Sequence, residues 1–451
     1  MFIASKPEYT QFPRRRLIQL LYPLLIEQLI IVGVSLIDAV MLTSVNEAAY
    51  SAISLVDMVN LLVMQIFMAI GAGGSIVAAQ FVGKRDRRGA LDTANQTAVL
   101  VLLVSVGLSL LTLVANRWLL GLMYPRISPV TMAYSVEYLA LSAISYPFYA
   151  MFYCGSSLLY AQSNSRSSMF ASMLMNGLKV GLNLLFIRGF GLGVLGIGLS
   201  TILSRATGAF VVTRMLLDKH AVIHYSRPFS LKLALQVDKR IFKVAGPSGI
   251  ENILFLSGKL VVGTIFAGFS GAMIAANAAS NTISALINVP AAAINLATIT
   301  VVGQCVGAGL LDEAEYNAKR MMVLHYIAQT TMGGVLFLLA GPMVRMLGIS
   351  EEATRISIDI LRIYAVVSFL FEPPAFGLPN TLRAAGDTKY TMYAAIISML
   401  LFRVGFSYLL VYGFGLELHG IWFAMYADWI ARGALFVLRF RSGAWKKHSL
   451  V

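Results

Sequence analysis

The tetrapeptide Gly189-Phe190-Gly191-Leu192 returns unchanged as Gly413-Phe414-Gly415-Leu416, 224 residues further along the chain. The same offset carries Pro23 and Glu27 onto Pro247 and Glu251, and Gln80, Gly83 and Ala90 onto Gln304, Gly307 and Ala314. It also carries Gly196-Ile197 onto Gly420-Ile421, and an offset of 223 aligns Ser163-Asn164-Ser165-Arg166 with Gly386-Asp387-Thr388-Lys389. An offset this constant over most of the half-chain makes the protein two copies of one unit.

Composition says what the unit is. Of 451 residues, 58% are hydrophobic and only 12% charged, where a soluble domain carries roughly 25%. The apolar residues gather in runs of about 20 or more, long enough to cross ~30 Å of hydrocarbon. Twelve spans are expected, over 17–41, 50–80, 91–114, 131–160, 168–187, 194–216, 240–267, 272–304, 317–341, 355–381, 389–412 and 418–438. Several exceed what a bilayer needs, which implies tilt or ends that project into water. The N-terminal residues lack the charged start, short apolar core and small-residue site of a cleaved signal, so the first run is expected to be retained. Six spans per repeat is an even number, so both halves insert the same way up, related by an axis along the membrane normal. The expected fold is an all-α integral membrane protein of twelve transmembrane helices in two pseudo-symmetric six-helix lobes. The lobes are 1–216 and 240–451, joined by a basic cytoplasmic linker over 217–239.

The formal net charge of +14 raises the question of a nucleic-acid partner. With the N-terminus placed inside, however, 24 Lys and Arg fall in inner segments. The outer segments hold six: Arg117, Arg126, Arg188, Arg345, Arg355 and Arg362. This positive-inside bias sets both termini in the cytoplasm of a plasma (inner) membrane protein and accounts for most of the basic charge, so no nucleic-acid partner is expected. Cys154 and Cys305 lie in apolar runs and read as free packing thiols. Gly83-Lys84 and Gly258-Lys259 lack the upstream glycine of a phosphate-binding loop. His220 and His224 stand in the linker without further ligands, and no nucleophile elbow or zinc-protease signature is present. No enzyme, metal site or resident cofactor is expected. Two such halves enclose a cleft that opens alternately to either side, and without nucleotide machinery the drive is an ion gradient.

Four segments carry a family likeness: Pro23 to Met41 with its Ser35-Leu36-Ile37-Asp38; Ala79-Gln80-Phe81-Val82-Gly83; Val301-Val302-Gly303-Gln304-Cys305-Val306-Gly307-Ala308-Gly309; and Thr381-Leu382-Arg383-Ala384-Ala385-Gly386-Asp387-Thr388. Across the whole chain the sequence resembles the multidrug and toxic compound extrusion (MATE) family. The resemblance implies twelve helices in two lobes and efflux of small organic compounds in exchange for H+ or Na+.

Ionisable groups inside the spans cost ~3 kcal/mol each on insertion scales, so those that persist are candidate functional groups. Asp38 matches the family's N-lobe acidic residue. Glu372, ten residues before Leu382, matches the helix-10 acid that helps bind the coupling cation in sodium-dependent relatives. Pro373 and Pro374 are expected to break the helix there and free carbonyls for a cation. Glu251, four residues after Pro247, departs from the family's helix-7 carboxylate, which lies nearer Phe255. Its repeat partner Glu27 has the same proline spacing, and the pair serves either transport or packing at an inner gate. Asp57 is open in the same way. Lys179 stands where relatives often carry an asparagine, with Asn183 four residues on and thus on the same helical face. Lys179 and its repeat partner Arg403 either neutralise buried acids statically or switch; in the second reading Lys179 pairs with Asp38 in one state and releases it in another. Lys259 lies two turns past Glu251. Arg205, Asp428 and Arg432 complete the intramembrane charges, the last two spaced to pair with each other.

The leading expectation is a cation-coupled antiporter, with Asp38 as proton carrier and Glu372 as C-lobe carboxylate, working as a monomer. The alternative is a flippase of the wider superfamily for a lipid-linked or anionic substrate, which Lys179, Lys259 and Arg403 pointing into the cleft would favour. The coupling groups break the repeat: Asp38 aligns with Val262, and Glu372 with Phe148.

Overall fold

The computed structural model describes residues 11–42, 47–225 and 234–451, apart from the side chains of Ala39, Val40 and Leu42. Lys6, Arg227 and Lys232, counted above toward the inner face, lie outside the described residues, as does 226–233 of the linker.

The described residues form twelve helical rods and no strand. The first six are α1 (Arg14–Leu42), α2 (Glu47–Gly83), α3 (Arg87–Met123), α4 (Pro129–Ala161), α5 (Ser165–Gly189) and α6 (Gly193–Met215). Then come α7 (Leu235–Gly268), α8 (Gly271–Ile287 continued by Val289–Gly307), α9 (Leu311–Arg345), α10 (351–384), α11 (Thr388–Gly413) and α12 (Glu417–Arg441). Ten helices in this set are long and apolar enough to cross a membrane by length and composition. Two local differences from the sequence expectation have simple causes. α7 begins at Leu235, so 235–239 are its first turn and not linker. α8 breaks at Asn288, because Pro290 has no N–H to offer the carbonyl four residues back.

The helix starts follow from capping chemistry. Asp86, Ser128, Asn164, Ser270 and Ser350 each accept a hydrogen bond from a backbone N–H three residues on, which satisfies a donor the first helical turn leaves free. The repeat shows in the backbone as well. Gly191 and Gly415 both have φ of 66°, Arg85 (61°) aligns with Gly309 (74°), and Ser163 (63°) aligns with Gly386 (96°). These left-handed positions suit glycine, and an L-residue held there costs ~1–2 kcal/mol.

By contacts the chain forms two compact units. One comprises residues 22–249; the other comprises 250–451 and, among the described residues, 11–21. In the first, α4 is the centre, packed against α2, α3 and α6. It carries buried Ser135, Ser142, Ser145, Ser156 and Ser157, a polarity only a helix shielded by its neighbours can hold. Ile53, Val56, Leu139 and Ile197 fill the space between these helices. In the second unit α9 packs against α8 and α10, and α10 against α12, around Leu336, Leu361, Tyr364, Trp422 and Trp429. Both thiols are free and buried.

The division falls inside α1 and α7, close to Pro23 and Pro247, so each of these helices begins in one unit and continues in the other. Matching hydrogen bonds hold the two starts. Ala234 N donates to Gln96 Oε1 at 3.2 Å in one unit, and Arg320 Nη1 donates to Phe12 O at 3.1 Å in the other. Gln96 and Arg320 are repeat partners.

Relief of the left-handed strain is testable. Arg85→Gly raises the unfolding free energy of the detergent-solubilised protein by about 1 kcal/mol, and Gly415→Ala lowers it by a similar amount. Thermal unfolding checks both; equal midpoints for the two variants would reject the assignment.

Candidate functional site

In the unit formed by 22–249, α1 presents Asp38 to two side chains of α5 spaced one turn apart. Lys179 Nζ lies 2.5 Å from Asp38 Oδ2, and Asn183 Nδ2 donates to Asp38 Oδ1 at 2.9 Å. Ser200 of α6 donates to Asn183 Oδ1 and so fixes which way the amide points. The Asp38 and Lys179 side chains are 16% and 29% exposed, so the pair is shielded and yet reachable. Asp38, Lys179 and Asn183, of which helical spacing links the last two and the family resemblance adds the first, are brought together here; Ser200 carries no such signal.

Asp57 of α2 belongs to a separate network facing α4. It accepts from Asn60 Nδ2 at 3.1 Å and Tyr138 OH at 3.4 Å, while Asn60 accepts from Tyr146 OH at 2.8 Å and reaches Ser142 at 3.2 Å. Arg205 donates to Ser145 Oγ at 2.6 Å and lies over the Tyr149 ring.

Glu27 and Glu251 occupy equivalent joints with different chemistry. Glu27 is buried and accepts from Tyr160 OH at 2.8 Å and Ser168 Oγ at 3.1 Å, which ties α1 to α4 and α5. Glu251 of α7 receives Arg383 Nη2 of α10 at 2.6 Å. The offset of 223 aligns Tyr160 with Arg383, so a hydroxyl in one repeat is replaced by a guanidinium in the other. Lys259, two turns past Glu251, does not join this joint.

Glu372 ends the regular part of α10, and α10 continues through it. Pro373–Gly377 forms a π-helical turn and Leu378–Ala384 completes the rod, so the expected break does not occur. Pro374 leaves Leu370 O without its helical donor, and Tyr326 OH takes that carbonyl at 3.4 Å; Asn380 Nδ2 takes Phe376 O at 2.7 Å. The partner of Glu372 is a residue the sequence reading passes over: His325 of α9, 1% exposed, with Nε2 2.6 Å from Glu372 Oε2. The signal was available, because a histidine in an apolar span is itself an ionisable group in the membrane. Gly377 makes room for it: a Cβ there would sit 2.8 Å from His325 Nδ1.

Asp428 of α12 is fully buried and accepts from Arg432 Nη2 at 3.1 and 3.2 Å and from Ser398 Oγ, with Arg403 Nη1 3.7 Å from its Oδ2. Beside this cluster a cavity of ≈350 Å³ opens within the unit, lined by Lys259, Arg403, Glu372, Tyr364, Trp422 and Trp429 among others.

Two variants separate the joints. Glu27→Gln costs below ~1 kcal/mol, because the amide oxygen still accepts from both hydroxyls. Glu251→Gln costs about 2 kcal/mol, short of the ~3–5 kcal/mol for a fully buried pair because the Arg383 side chain keeps 22% exposure. Unfolding midpoints of the two proteins rank them. Gly377→Ala crowds the His325 ring; a shift of the His325 imidazole carbon and nitrogen resonances reads this out, and unchanged resonances would show the glycine to be dispensable.

The model of the MatE family matches residues 23–185 and 247–409, two segments themselves related by the offset of 224. The probable multidrug resistance protein NorM of Thermotoga maritima is 26% identical over 450 residues, covering 97% of this chain and 94% of that one. An uncharacterized transporter of Bacillus subtilis, YisQ, is 25% identical over 437 residues, covering 95% and 94%. Among solved structures, the outward-facing conformation of a multidrug resistance MATE family transporter superposes with a TM-score of 0.89 at 21% identity, over 98% of this chain and 100% of that one. The repeat, the twelve helices and the matched segments coincide, and this chain belongs to the MatE family of multi-pass membrane transporters.

Proposed function

We propose that this protein exports small organic compounds from the cell in exchange for a cation, by alternating access, as a monomer in the plasma (inner) membrane with both termini cytoplasmic. The 24-to-6 distribution of Lys and Arg supports the orientation. The observation that carries the coupling is the contact of Asp38 with Lys179 and Asn183. An intramembrane carboxylate is tolerated while an ammonium neutralises it. A proton taken up by Asp38 cancels the charge that holds Lys179 and releases the lysine. A sodium ion at the same oxygens would sit beside a like charge at short range. The arrangement therefore supports H+ over Na+ at this site, with the Lys179 contact as the element that the coupling ion makes and breaks. Glu372 is the C-lobe carboxylate of this reading, with His325 beside it.

The test is uptake of paired fluorescent substrates, ethidium as the cation and fluorescein as the anion, into proteoliposomes under an imposed pH or sodium gradient, with the one that is transported used for the variants. A pH gradient drives uptake. Asp38→Asn lowers the driven rate by at least about tenfold, the scale of a coupling free energy of ~1–3 kcal/mol. Lys179→Ala moves the pH profile. A wild-type profile in Lys179→Ala rejects the switching role, and no response to either gradient rejects the antiporter. The second reading, a flippase of the wider superfamily for a lipid-linked or anionic substrate, is favoured by the cations Lys259 and Arg403 lining the cavity.

A further inference from the structure

The charges around the cavity in the unit formed by 250–451 do not balance. Of its lining residues, Lys259 and Arg403 are cationic and Glu372 is the one carboxylate. Glu372 is already engaged by His325. Asp428 stands behind the wall with no exposed surface, and its oxygens are taken by Arg432 and Ser398, which leaves Arg403 a single longer approach of 3.7 Å. Lys259 forms no ion pair among the described residues. Its Nζ lies 5.4 Å from the centre of the Phe255 ring, and the guanidinium carbons of Arg403 and Arg432 lie 5.5 and 5.3 Å from the same centre. Three cations thus surround one ring, with one buried carboxylate among them. A ring face attracts a cation only weakly, which does not offset several like charges held together at low dielectric. The Asp38 site differs: there one ammonium meets one carboxylate at 2.5 Å. An anion in the cavity would supply what is missing.

We infer that this cavity is an anion-binding site, and that it takes the carboxylate, phosphate or sulfonate head of an amphipathic organic molecule whose flat apolar body lies against Phe255, Trp422 and Trp429. The inference deepens the transporter reading and rests on it: it assigns the charge class of the substrate. The volume of ≈350 Å³ suits a small organic molecule. Lys259 supplies a mobile point charge, and Arg403 a planar fork that matches two oxygens of one head group. Glu372, on the same wall with Oε2 beside His325, is one carboxylate against the two cations Lys259 and Arg403, so the lining as a whole favours an anion.

The experiment uses 2-naphthoate and (2-naphthyl)trimethylammonium, which share an aromatic body and differ in head charge. Each is titrated calorimetrically into the full-length protein in phosphatidylcholine nanodiscs. The naphthoate binds at least about tenfold more tightly than the ammonium, the scale of one charge-assisted contact. Lys259→Gln weakens the naphthoate about tenfold, and Lys259→Arg keeps it within about threefold of the wild type. Arg403 also serves Asp428, so Arg403→Gln is read only after its unfolding midpoint is shown to match the wild type; it then weakens the naphthoate as Lys259→Gln does. Equal or tighter binding of the ammonium, or unchanged naphthoate binding in Lys259→Gln, overturns the assignment. Phosphatidylglycerol added to the nanodiscs distinguishes two sources of the same chemistry. Competition with naphthoate in the wild type, absent in Lys259→Gln, assigns the site to a lipid head group; no competition assigns it to a soluble anion. No ion gradient enters this measurement. Failure of coupling at Asp38 would leave naphthoate binding intact, and loss of naphthoate binding would leave the coupling result standing.

Discussion

The structure depends on one constraint: a charge placed in the hydrocarbon region has to find compensation inside the protein. The described spans show several solutions. Asp38 uses an ammonium and an amide, and Glu251 a guanidinium that keeps some exposure. Asp428 is shared by two arginines and a serine, Glu372 meets an imidazole, and Glu27 relies on tyrosine and serine hydroxyls. These differ in how readily they let go. A hydroxyl or an imidazole next to a carboxylate accommodates a proton without stranding a permanent charge, whereas removing the proton acceptor from Arg383 or Arg432 strands one. Guanidinium partners at Glu251 and Asp428, an ammonium at Asp38, an imidazole at Glu372 and hydroxyls at Glu27 thus give the intramembrane acids different degrees of charge compensation.

The repeat carries these pairings and varies them. Glu27 and Glu251 hold the same joint, yet Tyr160 became the partner in one half and Arg383 in the other. Lys179 and Arg403 are also repeat partners, but the acids they meet are not: Asp38 comes from α1 and Asp428 from α12. Duplication therefore supplied equivalent positions, and each half filled them with a different charge balance. In the first half Asp38 and Asp57 face Lys179 and Arg205. In the second, Arg403 and Arg432 share the carboxylate of Asp428, and Lys259 stands near them without an ion pair among the described residues.

Much of this was legible in the sequence, and the limits have physical causes. The helices and their number follow from apolar run length and from an offset that recurs even in backbone conformation at Gly191 and Gly415. The Asp38 site was legible in two parts: spacing brings Lys179 and Asn183 to one face of α5, and the family resemblance links that face to Asp38. His325 went unread because its partner comes from another helix, and no periodicity links residues 47 apart. The break at Asn288 went unread because the flanking residues are apolar enough to pass for one span, while the Pro373-Pro374 pair, a stronger breaker on paper, is absorbed by a π-helical turn whose loose carbonyls find Tyr326 and Asn380. Proline marks where a helix must adjust; the neighbours decide whether it ends.

The placement of the starts of α1 and α7 has a consequence for how the molecule is made. Residues 11–21 count among the first described residues to leave the ribosome, yet they pack within the unit that contains α9. Gln11 and Phe12 bond to Glu313 and Arg320, 302 and 308 residues downstream. At ~5–20 residues per second that interval is roughly 15–60 s. Throughout it Gln11 and Phe12 wait for these two partners, and the first unit waits in turn for residues of α7 that follow the linker. The first half therefore completes its packing only after its own synthesis, once the start of α7 has emerged, whereas the second half finds residues 11–21 already made, so the two halves finish in different relations to translation.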